Sequence, residues 1–280
     1  MKFDKKIFVK VVFTILFLIF LFYFVKPNQI FDAFSKAKFV WIFLALLLLP
    51  INLFLQFLRW KFLVILNNEK VKNLEVLKSI LYSFSYSIFT PARLGEIGRA
   101  FHISDSKKDE MVALAFYEKL FAFGSLLIFG FFSLSFFKNY LYFICTIFLI
   151  LILVYSKKMV ILIPQLKKFI PIFQKVRIGK MLFISLIFVF VYIFQFFLIL
   201  NAFENVPIFT SFFMISLVIF FNSLPITLSG LGVRELLSVY FFKEIGISAG
   251  SAASASFLIF FINILIPTFI GFGLHIFRKK

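Results

Sequence analysis

Six runs of apolar residues constrain the fold of this chain more than any other feature. They cover residues 7–25, 39–58, 111–137, 140–155, 181–203 and 251–277, and a membrane-spanning helix needs about 20 mostly apolar residues. Hydrophobic residues make up 62% of the 280 and charged residues only 15%, against about 45–50% and about 25% in soluble proteins. The sequence therefore predicts an all-α, polytopic bundle of membrane helices with six full spans. We expect residues 1–280 to form one transmembrane domain.

Two further apolar segments, residues 74–90 and 208–224, are interrupted. Each is followed by a Pro, a pair of glycines and a short helical piece, residues 94–103 and 233–245. Interrupted segments at corresponding places in two halves are typical of secondary transporters. Irregular backbone at membrane depth is tolerated only inside protein or beside a water-filled cavity. We therefore predict two re-entrant helical hairpins and an inverted repeat that relates residues 1–137 to residues 140–280.

The distribution of basic residues predicts the orientation in the membrane. The chain has 30 Lys and Arg against 12 Asp and Glu, for a net charge of +18. These cations concentrate in the short connections between apolar runs, above all in residues 156–180, as expected when they fix the orientation. A nucleic-acid-binding protein would instead carry a basic face on a soluble fold. We expect a cell-membrane protein with both termini cytoplasmic and no nucleic-acid partner. Hairpin one would open from the cytoplasm and hairpin two from the outside.

Few residues suit metal binding or catalysis. The single Cys145 lies in an apolar run, and His102 and His275 are far apart in the sequence, without the spacing of metal ligands. No nucleophile, base and orienting residue form a recognisable set. We therefore expect no metal, no cofactor and no catalytic residue.

Several charged residues fall inside or beside apolar segments. A charge facing lipid at the bilayer centre costs about 2.5–3.5 kcal/mol, so these side chains must pair with one another, face water or lie near the surface. Glu118 in particular calls for a cation, and Arg93 or Arg99 is the nearest in sequence. Either the set is a buried ion-pair network that fixes how a hairpin docks, or its guanidinium groups bind a phosphate bidentately. For the second interpretation the predicted substrate-binding residues are Arg93, Glu96, Arg99, Glu118, Arg234 and Glu235.

The same two stretches contain residues suited to bend the backbone. Their glycines either let helices approach closely or let backbone N–H groups at a helix start face an anion. The small residues of 251–256 predict a close-packing helix face. The predicted hinge and backbone positions are Pro91, Gly95, Gly98, Pro225, Gly230 and Gly232.

Three segments together resemble a known family. They are PARLGEIGRAF at 91–101, the Glu118–Lys119 pair in ALAFYEKL, and LPITLSGLGVRE at 224–235. They are similar to the flippase-like membrane proteins related to the transmembrane region of lysylphosphatidylglycerol synthase. The resemblance implies a multi-pass inner-membrane protein that moves a lipid with an anionic headgroup between leaflets. Its expected partners are the membrane and an anionic phospholipid or polyprenyl-phosphate lipid. No segment of residues 1–280 is polar and long enough to form the soluble aminoacyl-transferase domain of the full synthase, so we do not expect these residues alone to synthesise an aminoacyl-lipid.

Two other classes of function remain open at this point. One is a membrane-embedded enzyme that acts on a polyprenyl-phosphate or phospholipid. The other is a structural partner in envelope synthesis, for which the buried charges would matter only to stability.

Overall fold

The computed structural model describes residues 15–16, 19, 21, 23, 25–90, 93–160, 164–227 and 229–278. Within these ranges the chain is helical and contains no strand. Most of the predicted span 7–25 and the predicted hinge residue Pro91 lie outside the described residues.

In chain order the helices are α1 (Pro27–Ser35), α2 (Phe39–Val64), α3 (Asn73–Ser87), a 3-10 helix (Leu94–His102), α4 (Lys108–Phe137), α5 (Leu141–Val154), α6 (Ser156–Val160), a second 3-10 helix (Pro164–Phe169), α7 (Ile170–Lys175), α8 (Ile178–Phe203), α9 (Ile208–Asn222), α10 (Val233–Lys243), α11 (Ala249–Phe260), a π-helical segment (Phe261–Leu265) and α12 (Ile266–Arg278).

Among the described residues, four helices are long and apolar enough to cross a membrane. They are Phe39–Val64, Lys108–Phe137, Ile178–Phe203 and Ala249–Ile276, the last of which continues through the π-helical segment. The helix in the predicted span 140–155 has only 14 residues, which is about 21 Å against a hydrocarbon core about 30 Å thick. The predicted class, a polytopic helical membrane protein, is confirmed. The predicted number of six full spans is not.

Helix α3 and the 3-10 helix that follows it form an antiparallel pair, which we call hairpin 1. At its base the Glu75 carboxylate accepts hydrogen bonds from the Ser104 N–H at 2.5 Å and the Ser104 hydroxyl at 2.6 Å. At its tip Arg93 adopts a left-handed backbone conformation with φ 55°. The arms touch backbone to backbone, because a Cβ on Gly95 would lie 2.6 Å from the Tyr86 carbonyl oxygen. Only glycine permits this approach.

Helices α9 and α10 form a second pair, hairpin 2, with a matching closure. At its base the Glu204 carboxylate accepts hydrogen bonds from the Ser248 hydroxyl at 2.5 Å and the Ser248 N–H at 3.2 Å. At its tip Ser229, Gly230 and Gly232 all have positive φ. Each hairpin is thus closed at its base by a carboxylate that binds the serine just beyond the second arm.

The two hairpins meet at their tips. Met181, near the beginning of α8, and Ile103, just beyond hairpin 1, belong to one buried cluster. The other end of α8 leads directly into Glu204, at the base of hairpin 2. At the tips the Ser229 hydroxyl donates a hydrogen bond to the Ile88 carbonyl at 3.0 Å. The order of helix, hairpin and helix recurs in the two halves, while the inverted repeat itself stays a prediction.

Buried polar side chains join three of the long helices. The Asn52 and Asn263 amides of α2 and the π-helical segment each donate to the Gln195 side-chain oxygen of α8 at 2.7 Å. The small residues of 251–256 are buried throughout α11, as the predicted close-packing face requires. The amide contacts therefore join α2, α8 and the π-helical segment that follows α11.

Candidate functional site

Glu118 is the centre of a buried ion-pair network. Its carboxylate is fully buried and binds Arg59 Nε at 2.5 Å and the Arg99 guanidinium. The Arg99 guanidinium also lies 4.4 Å above the Trp60 ring, a cation–π distance. The expectation that Glu118 pairs with Arg93 or Arg99 is met by Arg99. The network joins α2, hairpin 1 and α4, so it holds the hairpin to two long helices.

Arg59 is one of the residues that the sequence-based prediction missed. It follows the apolar run 39–58, where a cation is expected to be a cytoplasmic anchor. Helix α2 instead continues to Val64 and places Arg59 at 5% exposure. Its Nη1 also donates to the Ser185 hydroxyl at 3.4 Å. The sequence carries no signal for this role, because a lone cation at the end of an apolar run does not indicate which carboxylate it binds.

A second, half-buried network surrounds Glu96. Its carboxylate contacts Arg93 Nη2 at 2.6 Å and Lys119 Nζ at 2.7 Å. The Arg93 and Lys119 side chains are 27% and 22% exposed, so solvent reaches this group. Arg99 interacts electrostatically with both Glu96 and Glu118, which couples the two networks. Lys119 belongs to the Glu118–Lys119 pair that supports the family resemblance, but it is not among the predicted substrate-binding residues.

The coupled networks carry more positive than negative charge. Four cations, Arg59, Arg93, Arg99 and Lys119, face two carboxylates. Two positive charges are therefore in excess within this set. The Nε atoms of Arg93 and Arg99 are also buried without a hydrogen-bond partner in the described part of the chain. Buried guanidinium donors without acceptors are costly, so an anion that accepts from them would stabilise the arrangement.

The charged pair in hairpin 2 is internally balanced. Arg234 and Glu235 are both buried and form an ion pair. Arg234 Nε donates to the Ser256 hydroxyl at 3.1 Å, and Glu235 accepts the Gly232 N–H at 2.7 Å. Glu235 therefore occupies the position of an anion at the start of α10, where unpaired N–H groups favour negative charge.

Tyr192 of α8 lies within electrostatic reach of both hairpins. Arg93 of hairpin 1 and Arg234 and Glu235 of hairpin 2 all act on it electrostatically. The sequence-based prediction did not name Tyr192, because a tyrosine within an apolar span carries no signal of its own. Two cavities lie at the outer ends of the hairpins, away from these tips. At the tips the two hairpins are in contact through Ser229 and Ile88.

The predicted backbone positions fall into two groups. In hairpin 1 the glycines allow close approach, since a Cβ on Gly98 would lie 3.2 Å from the Tyr86 ring, in line with Gly95. In hairpin 2, Gly230 and Gly232 have positive φ, which side chains other than glycine rarely adopt. Pro225 lies in the turn between α9 and α10.

The two histidines, distant in the sequence, lie together near the base of hairpin 1. His102 Nε2 is 3.4 Å and His275 Nε2 is 2.9 Å from the Tyr86 hydroxyl, and the two rings are 5.9 Å apart. No group of three or more His, Cys, Asp or Glu side chains suited to a metal occurs among the described residues. The contact depends on α12 packing against α3, which the sequence spacing does not reveal.

The comparison with protein families identifies the chain's relatives. The family described as Lysylphosphatidylglycerol synthase TM region matches residues 7–271. The chain belongs to this family. Membership in the lysylphosphatidylglycerol synthase TM region family links this multi-pass membrane protein with lipid metabolism or transport. The search of curated proteins found no match.

Proposed function

We propose that this protein is a flippase-like transporter that moves a lipid with an anionic phosphate headgroup between the leaflets of the cell membrane. The observation that carries the proposal is the contact between the hairpin tips, where the Ser229 hydroxyl donates to the Ile88 carbonyl at 3.0 Å, with Arg93 and Arg234 at the starts of the two second arms. The excess of two positive charges around Glu96 and Glu118 supports an anionic substrate. Membership in the family supports a lipid as its source.

In the proposed mechanism the headgroup phosphate binds between the hairpin tips. Arg93 and Arg234 donate to it, because a guanidinium matches two phosphate oxygens. Arg99, whose Nε has no acceptor in the described part of the chain, adds positive charge beside them. Glu96, Glu118 and Glu235 hold the arginines while the substrate is absent. The hairpins act as re-entrant elements that separate toward one leaflet at a time, and the acyl chains stay in the bilayer.

Leaflet exchange in reconstituted vesicles tests this proposal. A membrane-impermeant quencher added outside the vesicles removes the fluorescence of a phosphatidylglycerol analogue in the outer leaflet. The protein-dependent loss of the remaining, inner-leaflet fluorescence gives the exchange rate. We expect Arg93→Ala and Arg234→Ala each to abolish this exchange. Lys243→Ala is the matched control, because it removes an exposed cation from hairpin 2. Size-exclusion profiles and melting temperatures check that the variants fold.

Full exchange in both arginine variants would rule out the proposed role. The same samples distinguish the enzyme alternative, because mass spectrometry of a labelled lipid detects any new product. A product formed without leaflet exchange would favour the membrane-embedded enzyme.

A further inference from the structure

A basic cavity of about 530 Å³ lies at the base of hairpin 1. Its cationic lining residues are Lys72, Lys78 and Lys108, and His102 also faces it. The lysines come from the start of hairpin 1 and the start of α4, so they surround the cavity from two elements. The 3-10 helix between Arg93 and this cavity has about nine residues and rises about 2 Å per residue. The cavity therefore lies roughly the length of that helix away from the site at the tips.

The carboxylate that lines this cavity already accepts hydrogen bonds from the protein. Glu75 is the only carboxylate among the lining residues that the structure describes, and one of its oxygens accepts both hydrogen bonds from Ser104. Lys108 donates to the Ile103 carbonyl, whereas Lys72 and Lys78 are exposed. The cavity therefore keeps an excess of positive charge at its open side.

The corresponding cavity at the base of hairpin 2 has the opposite charge. Its volume is about 290 Å³, and its charged lining residues are Asp32, Glu204 and Lys36. Both cavities contain the glutamate that closes the base of a hairpin. Since matching positions differ in charge, the basic lining of the first cavity does not follow from the hairpin architecture itself.

We propose that the cavity at the base of hairpin 1 binds a phosphate-bearing anion before it reaches the hairpin tips. Lysine ammonium groups act as point charges that suit phosphate oxygens from several directions. Leu74, Phe101 and Leu274 form an apolar wall beside them, which suits the glycerol and acyl part of a lipid. The same cations would accept a free phosphate. The inference rests on the proposed function for its lipid ligand.

Binding of a short-chain lipid to the full chain tests this inference. The purified protein in phosphatidylcholine nanodiscs is titrated with dihexanoyl-phosphatidylglycerol, dihexanoyl-phosphatidylcholine or inorganic phosphate. We expect Lys72→Gln/Lys78→Gln to weaken binding of the anionic lipid by about tenfold or more, which is about 1.4 kcal/mol. The matched control, Lys167→Gln/Lys175→Gln, removes two exposed lysines from the basic segment at the same end of α8 and should leave binding within about twofold, as for surface charges in general.

The outcomes separate the ligand sources and the two proposals. Tighter binding of the anionic lipid than of phosphate assigns the site to a headgroup, and equal binding assigns it to free phosphate. Equal affinity of the Lys72→Gln/Lys78→Gln variant and the wild type, or equal weakening by the control pair, would overturn the inference. If exchange is lost in the Arg93 and Arg234 variants but binding is unchanged here, only this site is refuted. If binding is lost in the lysine variant but the Arg93 and Arg234 variants exchange normally, only the proposed role of the two arginines in transport is refuted.

Discussion

Replacing Glu118 by Gln should destabilise the protein strongly. Glu118 is fully buried, and the side chains of its partners Arg59 and Arg99 are 6% and 4% exposed. The substitution leaves two buried guanidinium groups close together without their shared counter-charge. Breaking a buried ion pair by removing one partner costs about 3–5 kcal/mol. At about 2–4 °C per kcal/mol this corresponds to a fall of roughly 6–20 °C in melting temperature.

Thermal unfolding of purified variants in one detergent measures this effect. Asp109→Asn is the matched control, because Asp109 is 81% exposed and only 3.6 Å from its partner Lys168; exposed pairs contribute about 0–1 kcal/mol. Adding Arg99→Gln to Glu118→Gln should restore part of the loss, since one guanidinium then remains unpaired instead of two. If Glu118→Gln lowers the melting temperature no more than Asp109→Asn, the buried network does not hold hairpin 1 in place.

Two further predictions concern the hairpins. Gly95→Val should separate the arms of hairpin 1 and lower the melting temperature, because even a Cβ would lie 2.6 Å from the Tyr86 carbonyl oxygen; Gly179→Val, where a Cβ meets nothing within 4 Å, is the control. The Ser229 hydroxyl lies 3.0 Å from the Ile88 carbonyl oxygen, so cysteines introduced at these two positions should crosslink under oxidation. In a Cys145→Ser background we expect this crosslink to stop leaflet exchange until a reductant is added. Undiminished exchange in the crosslinked protein would exclude separation of the tips.

The sequence was sufficient to predict the helical architecture. Long apolar runs predict spans because a helix in lipid satisfies its own backbone hydrogen bonds. The spans built on 39–58 and 181–203 thus appear with extended ends, as Phe39–Val64 and Ile178–Phe203. The interruption of 74–90 and 208–224 by Pro and Gly likewise indicated where the chain turns back. The boundary of α2 was wrong because Arg59 looks like an interfacial charge until its buried partner is known.

Apart from the pairing of Glu118 with Arg99, the long-range side-chain partners could not be predicted from the sequence. Arg59 and Glu118 are 59 residues apart, and His102 and His275 meet only because α12 packs against α3. The closures Glu75–Ser104 and Glu204–Ser248 involve residue types common in any loop. A charge in an apolar run indicates that a partner must exist, but it does not specify which helix supplies it. The predicted substrate-binding residues therefore stay a prediction, and the structure adds the partners that the sequence did not specify.

The contacts within each hairpin and between the hairpins differ in strength, and this difference indicates where the proposed motion would occur. Hairpin 1 is held by its backbone contact at Gly95 and by two hydrogen bonds from Ser104 to a carboxylate, and hydrogen bonds to charged groups contribute about 1.5–3 kcal/mol each. The contact between the tips that we describe is a neutral hydroxyl donation from Ser229 to the Ile88 carbonyl, worth about 0.5–1.5 kcal/mol. We therefore expect the tips to separate before hairpin 1 opens. Because Arg93 and Arg234 lie on opposite sides of that weak contact, an anion bound between them would compensate for its loss.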